Sequence, residues 1–167
     1  MRASRALALI ALFLVAVAAA WWATHRTVAG VGDRITVFYT KADGTTLAPW
    51  PVSLGSARDR SSAAFYAATQ CVAGPPPGTD AVRFPAGTHV RTVTVDGTTA
   101  DIDLSREVER SAEGGFAEAA EFKALVWTLT QPALGIDAVT IRVDGTRLAT
   151  LPGGHLELDD PLSRSSF

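Results

Sequence analysis

Within residues 122–129 the apolar positions Phe122, Leu125, Val126 and Leu129 recur at i, i+3, i+4 and i+7. That spacing gathers side chains on one stripe of an α-helix. Pro132 cannot extend the helical ladder and biases Gln131 out of the helical region, so the spacing predicts a helix that stops there. From Val139 the period becomes two: Val139, Ile141 and Val143 face one way, Thr140 and Arg142 the other, as in a β-strand. Asp144-Gly145 is the dipeptide that a tight hairpin turn prefers, so a returning strand is expected after it.

The rest of the chain carries the same kind of signals. Residues 34–40 alternate Ile35, Val37 and Tyr39 with Thr36, Phe38 and Thr40, and Asp43-Gly44 turns them into a second strand at 47–54. Pro49 and Pro51 each remove a ladder donor, which predicts an edge strand. Asp59 is placed to cap a helix from about 60 to 73 that Gly74 and the 75–77 proline run terminate. On it Phe65, Ala68 and Val72 are expected to share the core face, flanked by Ala64 and Cys71. A hairpin at 90–104 turns at Asp96-Gly97, with Ala100, Ile102 and Leu104 inward and Asp101 and Asp103 outward. Glu118 and Glu121 are assigned to the solvent face of the last helix, and a final strand is expected at 155–158. The order is β-β-α-β-β-α-β-β, an α+β fold with a mainly antiparallel sheet and two helices on one face.

The N-terminus has a different character. Arg2 and Arg5 precede the uncharged run 6–24, which as a helix spans about 28 Å, close to the ~30 Å thickness of a bilayer core. The leading arginines predict a cytoplasmic N-terminus and an exported remainder. A retained single-pass anchor places Trp21 and Trp22 at the membrane interface; a cleaved signal peptide would use the small residues 18–20 and leave a secreted domain. The division is therefore a hydrophobic N-terminal helix in 1–26, a linker at 27–33 and a folded domain at 34–167.

The helix ending VWTLTQ, followed by a proline loop and VTIRVDG, resembles the second half of the GerMN domain, the module of sporulation and spore germination proteins. RITVFYTKADGTTLAPWPVSL, SSAAFYAATQCVAGPPPG, FPAGTHVRTVTVDGTTADIDLS and GGHLELDDPLSR fit in the expected order, so the likeness covers roughly 33–164. Cys71 and Thr69 depart from it, standing where a more leucine-rich helix is expected. The resemblance implies a non-catalytic bacterial envelope module with a scaffolding or interaction role, similar in topology to ring-building motifs of envelope machines. Its partners would be the membrane, through the N-terminal helix, and an envelope protein or a second copy.

Composition and chemistry narrow this reading. A net charge of −2 over 167 residues gives no basis for nucleic-acid binding. Cys71 is the lone cysteine, which excludes an intrachain disulfide; as a nucleophile it would need His89 or His155 nearby, and its small-residue helix reads better as a buried, inert site. Asp101 and Asp103 read as a solvated strand face, and His25, His89 and His155 have no ligand spacing. Thr128 and Thr130 read as hydroxyls bonding preceding carbonyls near the helix end. No catalytic, metal or cofactor site is expected. The alternative class is a small-molecule or cell-wall binding domain, or a minor hydrolase. Trp50 and Trp127 are the candidate partner contacts: each is either a lid on the core or an anchor for a partner.

Overall fold

A computed structural model describes Val15, Val17 and residues 34–167 apart from 56, 58, 111–114 and 153. Apart from Val15 and Val17, the N-terminal helix expected in 1–26, with its interface pair Trp21 and Trp22, lies outside the described residues. Among the described residues no helix is long and apolar enough to cross a membrane.

The first two strands, β1 (Arg34–Thr40) and β2 (Leu47–Ser53), form an antiparallel pair with Val37 opposite Trp50. Period two works as expected on β1, where Ile35, Val37 and Tyr39 are buried. The turn between them is built by Asp43, whose carboxylate accepts the Thr45 and Thr46 amides at 2.9 and 2.8 Å and the Thr46 hydroxyl at 2.6 Å. Those bonds, the Thr46 hydroxyl first, hold the Asp43 carboxyl below the usual carboxylate range.

Helix α1 (Arg60–Ala73) begins in a capping box: Asp59 accepts the Ser62 amide at 2.8 Å, and the Ser62 hydroxyl accepts the Asp59 amide at 3.1 Å. Its buried face is Ala63, Ala64, Ala67, Ala68, Cys71 and Val72. Phe65, expected on that face, points outward and is 39% exposed. The stripe is nearly all alanine, so α1 sits close to its neighbours and leaves no room for a ring.

Strands β3 (Val90–Asp96) and β4 (Thr99–Leu104) pair antiparallel, while β5 (Ala138–Val143) lies parallel to β4, with Ile102 opposite Ile141. The sheet is therefore mixed: β1-β2 and β3-β4 are antiparallel as expected, and the parallel β4-β5 pair corrects the mainly antiparallel expectation at that one place. Periodicity carries no direction, but helix α2 (Gly115–Leu129) lies between β4 and β5. A helical crossover that returns the chain to the same end makes its strands parallel.

Among the described residues there are also two sheets rather than one, β1-β2 and β3-β4-β5. The turn at Asp144-Gly145 forms, with positive φ at both residues and a bridge from Val143 to Thr146, but no strand returns from it. Residues 155–158 form no strand either; instead Leu162 bridges to Val139 on the outer edge of β5 at 2.8 Å in both directions. Pro152 and Pro161, with Gly154, break up what period two would need for a ladder. Both helices pack on β1 and on each other, α1 reaching β3 and α2 reaching β5, around one continuous core.

Candidate functional site

Helix α2 organises the groups of greatest chemical interest, and its two ends differ. At the C-terminal end Gln131 and Thr128 turn toward β1. Gln131 Oε1 accepts the Thr36 N–H at 3.0 Å, and its Nε2 donates to Thr36 O at 3.0 Å and Thr128 O at 2.6 Å. The Thr128 hydroxyl accepts the Phe38 N–H at 2.9 Å, the Cys71 thiol donates to Phe38 O at 3.6 Å, and the Val82 N–H donates to Thr40 O at 2.8 Å. The edge of β1 facing away from β2 is thus met group by group, mostly by side chains standing in for a strand.

Thr130 behaves as the sequence suggests, donating to Val126 O at 2.7 Å, but Thr128 does not: its hydroxyl serves a distant strand. The other edge of the pair is closed differently. Because Thr36 and Phe38 bond outward, Ile35, Val37 and Tyr39 face β2, and their partners Val52, Trp50 and Ala48 face back. Pro49 and Pro51 then occupy outward positions of β2, where neither has an N–H to offer another strand. The edge placement read from the two prolines is what the structure has.

Cys71 lies inside this seal. Burial pushes its thiol up to about 12, against a partly opposing hydrogen bond with Thr128. A thiol so placed is the reverse of an activated nucleophile. Neither proposed base attends it: the His89 ring contacts Gly87 O at 3.1 Å, and His155 is exposed.

Trp127 is partly buried against the core at this same end of α2. Its ring meets Phe167 edge-on at 6.1 Å, with Lys123 Nζ and the Arg164 guanidinium carbon each 5.6 Å from its centroid. Arg164 also donates to the Thr130 hydroxyl and carbonyl at 3.0 and 3.1 Å, placing a cation at the helix C-terminus. Trp50 stands far more open, 45% exposed between its prolines.

The aspartates of β4 face arginines. Arg142 Nε bonds both Asp101 oxygens at 2.8 and 3.0 Å; Asp103 accepts Arg91 at 2.9 Å and the Gly145 amide at 2.8 Å. Arg91 also pairs with Asp144 at 2.9 Å. Asp103 is buried despite its outward-facing position, because this pairing covers it. No cluster of three metal-ligating side chains occurs among the described residues.

The N-terminal half of α2 overturns one expectation. Glu118 and Glu121, assigned to solvent, are 1% and 4% exposed. The signal was available: continuing the stripe of Phe122, Leu125 and Leu129 back by one turn lands on Glu118. The Phe116 ring lies against Gly44 of the hairpin turn, where a Cβ would come within 2.0 Å of it, and Lys123 Nζ donates to Thr45 O at 3.0 Å. This half of the helix is held against the β1-β2 turn.

A family described as sporulation and spore germination (Germane) matches residues 36–149. No curated protein matches the chain. Among solved structures, the tandem GerMN domains of the sporulation protein GerM from Bacillus subtilis align at 27% identity and a TM-score of 0.64, over 80% of this chain and 47% of that one. The present chain therefore spans less than half the length of that tandem protein. The first GerMN domain of the same protein aligns at 26% identity and a TM-score of 0.56, over 78% of this chain and 98% of that one. A Clostridium perfringens protein aligns at 21% identity and a TM-score of 0.56, over 79% of this chain and 87% of its own, and speaks to the fold alone. With its second helix bracing β1 from Thr36 to Thr40 and the match running from β1 through β5, this chain belongs to the GerMN-type family of sporulation and spore germination domains.

Proposed function

We propose that the chain is a non-catalytic GerMN-type interaction module of the bacterial envelope, linked to sporulation or germination. In this reading residues 1–26 direct export or hold the chain at the membrane, with Trp21 and Trp22 at the interface, and the folded domain meets a protein partner or a second copy. The observation that carries it is the 27% identity over 80% of this chain to the GerMN domains of a sporulation protein. The edges of the β1-β2 pair are covered or stripped of donors, which disfavours contact through that pair's backbone, and Trp50 and Trp127 are the candidate side-chain contacts.

Photocrosslinkers placed at Trp50 and at Trp127 in living cells test this. Adducts from either position to an envelope protein or to the chain itself are expected; their absence at both would remove the assignment of the indoles. Protease added to intact spheroplasts should digest the domain, and full protection would sink the export half.

A second reading, a small-molecule or cell-wall binding domain, has one observation in its favour: the buried, incompletely bonded carboxyls of Glu118 and Glu121. Equilibrium binding to peptidoglycan fragments, lost on Glu118→Gln, would move the assignment to that class.

A further inference from the structure

Glu118 and Glu121 stand one helical turn apart on α2, the spacing of neighbouring side chains. Glu118 Oε1 and Glu121 Oε2 are buried without a hydrogen-bond partner among the described residues. The other oxygen of Glu118 accepts the His155 N–H at 2.9 Å. A Cβ at position 154 would fall 2.4 Å from Glu118 Oε1, so the glycine lets the backbone at 154–155 close over the carboxyl. This strap turns back on itself through Leu158 N–H to Ala149 O at 2.7 Å and buries Leu151 and Leu158. Among the described residues, the bond that ties it to the first turns of α2 ends on a carboxyl with a second acid one turn along the helix.

Two anions buried from solvent one helical turn apart repel each other, and a carboxyl in that position is driven toward taking up a proton. We propose that Glu121 keeps its proton beside the buried Glu118 and that this proton fastens the strap around Gly154 and His155 to α2, so that the strap loosens on the alkaline side while the rest of the domain stays folded.

Charged and titratable groups on the surrounding elements are engaged or placed elsewhere. On β1 the Tyr39 hydroxyl donates to Gln70 O at 3.2 Å, Arg34 lies beyond Thr36 at the Gln131 end, and Lys41, just past the strand, is exposed. On α1 Arg60 donates to the Leu134 and Gly135 carbonyls, Tyr66 packs on the core and Cys71 bonds Phe38 O. Arg142 of β5 pairs with Asp101, Arg164 caps the far end of α2, and Lys123 reaches Thr45 O. His155 and Glu157 of the strap are exposed. Among the described residues no hydrogen bond or ion pair joins a cation to either carboxyl. Burial pushes the Glu121 carboxyl up to about 8, and the charge of Glu118 adds to the shift. An acid raised in the folded state contributes stability that is complete below its ordinary pKa and is lost as pH rises through about 8.

The test follows carboxyl carbons and amide exchange by NMR on the full chain in mild detergent, between pH 5 and 10. A Glu121 midpoint near 8 is expected. Between pH 6 and 9 the His155 and Leu158 amides should lose about tenfold protection after correction for intrinsic exchange, while Val37 and Ile102 keep theirs. Glu121→Gln should keep the strap protected at pH 9, and Glu118→Gln, which retains an acceptor for His155, should lower the Glu121 midpoint. A Glu121 midpoint in the ordinary carboxyl range would overturn the proposal. So would a strap that opens at pH 9 equally in Glu121→Gln. Calcium that tightens the strap at neutral pH with both carboxyls ionised would replace the proton by a metal ion and defeat it equally.

Discussion

The two ends of α2 both bury polar side chains, and they do so with opposite outcomes. At the C-terminal end Gln131 bonds at both amide atoms, and Thr128 supplies the acceptor that Phe38 needs, so a strand edge is closed without a strand. At the N-terminal end Glu118 and Glu121 are equally deep, yet each leaves one oxygen without a partner. Buried polar groups that are fully met fix one arrangement, whereas partly met ones hold stress that a change of protonation can release. The same helix thus has one end that specifies the fold and one end whose stability depends on pH.

The largest effect should come from breaking the satisfied end. Gln131→Ala leaves the Thr36 N–H and C=O without their partners; fully buried they would cost ~1–3 kcal/mol each, up to ~6 together, and because Thr36 is only half-buried the loss should fall in the lower part, about 2–4 kcal/mol. Urea denaturation with an unchanged slope and a lowered midpoint would show it. A loss under ~0.5 kcal/mol would mean that water replaces Gln131 on the edge, and the contrast between the two ends would fail.

At the other end the sign reverses. Glu121→Gln keeps the shape and removes the charge, so at pH 9 it should stabilise by ~1–3 kcal/mol, in the range seen when buried charges are replaced by neutral groups. At pH 5 the wild-type carboxyl is already protonated and the two proteins should match. The wild type should lose stability as pH rises through about 8, the direction required of a carboxyl whose folded pKa is raised. Thermal melts from pH 5 to 9 decide it: a substitution that destabilises equally at both pH values would place both ends of the helix in one class.

What could be read from the chain follows from which signals are local. Period two in 34–40 and 139–143, the Asp59 cap, the proline-marked edge at 49 and 51 and the glycine turns are all written in adjacent residues, and they formed as expected. The direction of β5 and the separation of the two sheets are not local. They depend on α2 crossing between β4 and β5 and on Gln131 meeting Thr36, 95 positions away. Nothing at 128–131 announces that an amide will stand in for a strand. Glu118 is a different kind of miss: the helical stripe reached it, but a charged residue weighs against burial unless paired, and here its partner is the distant backbone N–H of His155.

Cys71 tests whether the satisfied end tolerates a change of atom. Its sulfur is 3.6 Å from Phe38 O, and the shorter C–O bond of serine would draw the donor back out of hydrogen-bonding range. Cys71→Ser should therefore cost ~1–2 kcal/mol by burying a poorly bonded hydroxyl. The thiol, raised to about 12 by burial, should label with thiol reagents only as fast as the domain opens. Rapid labelling of the folded protein would return Cys71 to the list of nucleophiles.

Trp127 gives the smallest effect and the sharpest reading of the satisfied end. It precedes Thr128 directly, so its ring leaves α2 about 100° around from the hydroxyl that bonds β1. It packs instead against Phe167, between Lys123 and Arg164. Trp127→Ala removes a half-buried ring and the contacts of two cations while leaving the Gln131 and Thr128 bonds in place, and about 1 kcal/mol of stability should go with it. The Thr36 and Phe38 amides should keep their exchange protection. If the indole also anchors a partner, the same variant should weaken association by ~2 kcal/mol or more, measurable as a loss of product crosslinked from position 50 beyond what the small drop in stability accounts for. A loss of stability above ~3 kcal/mol, with protection lost at Thr36 and Phe38, would show that the ring holds the seal together and that the end of the helix is specified by packing rather than by its hydrogen bonds.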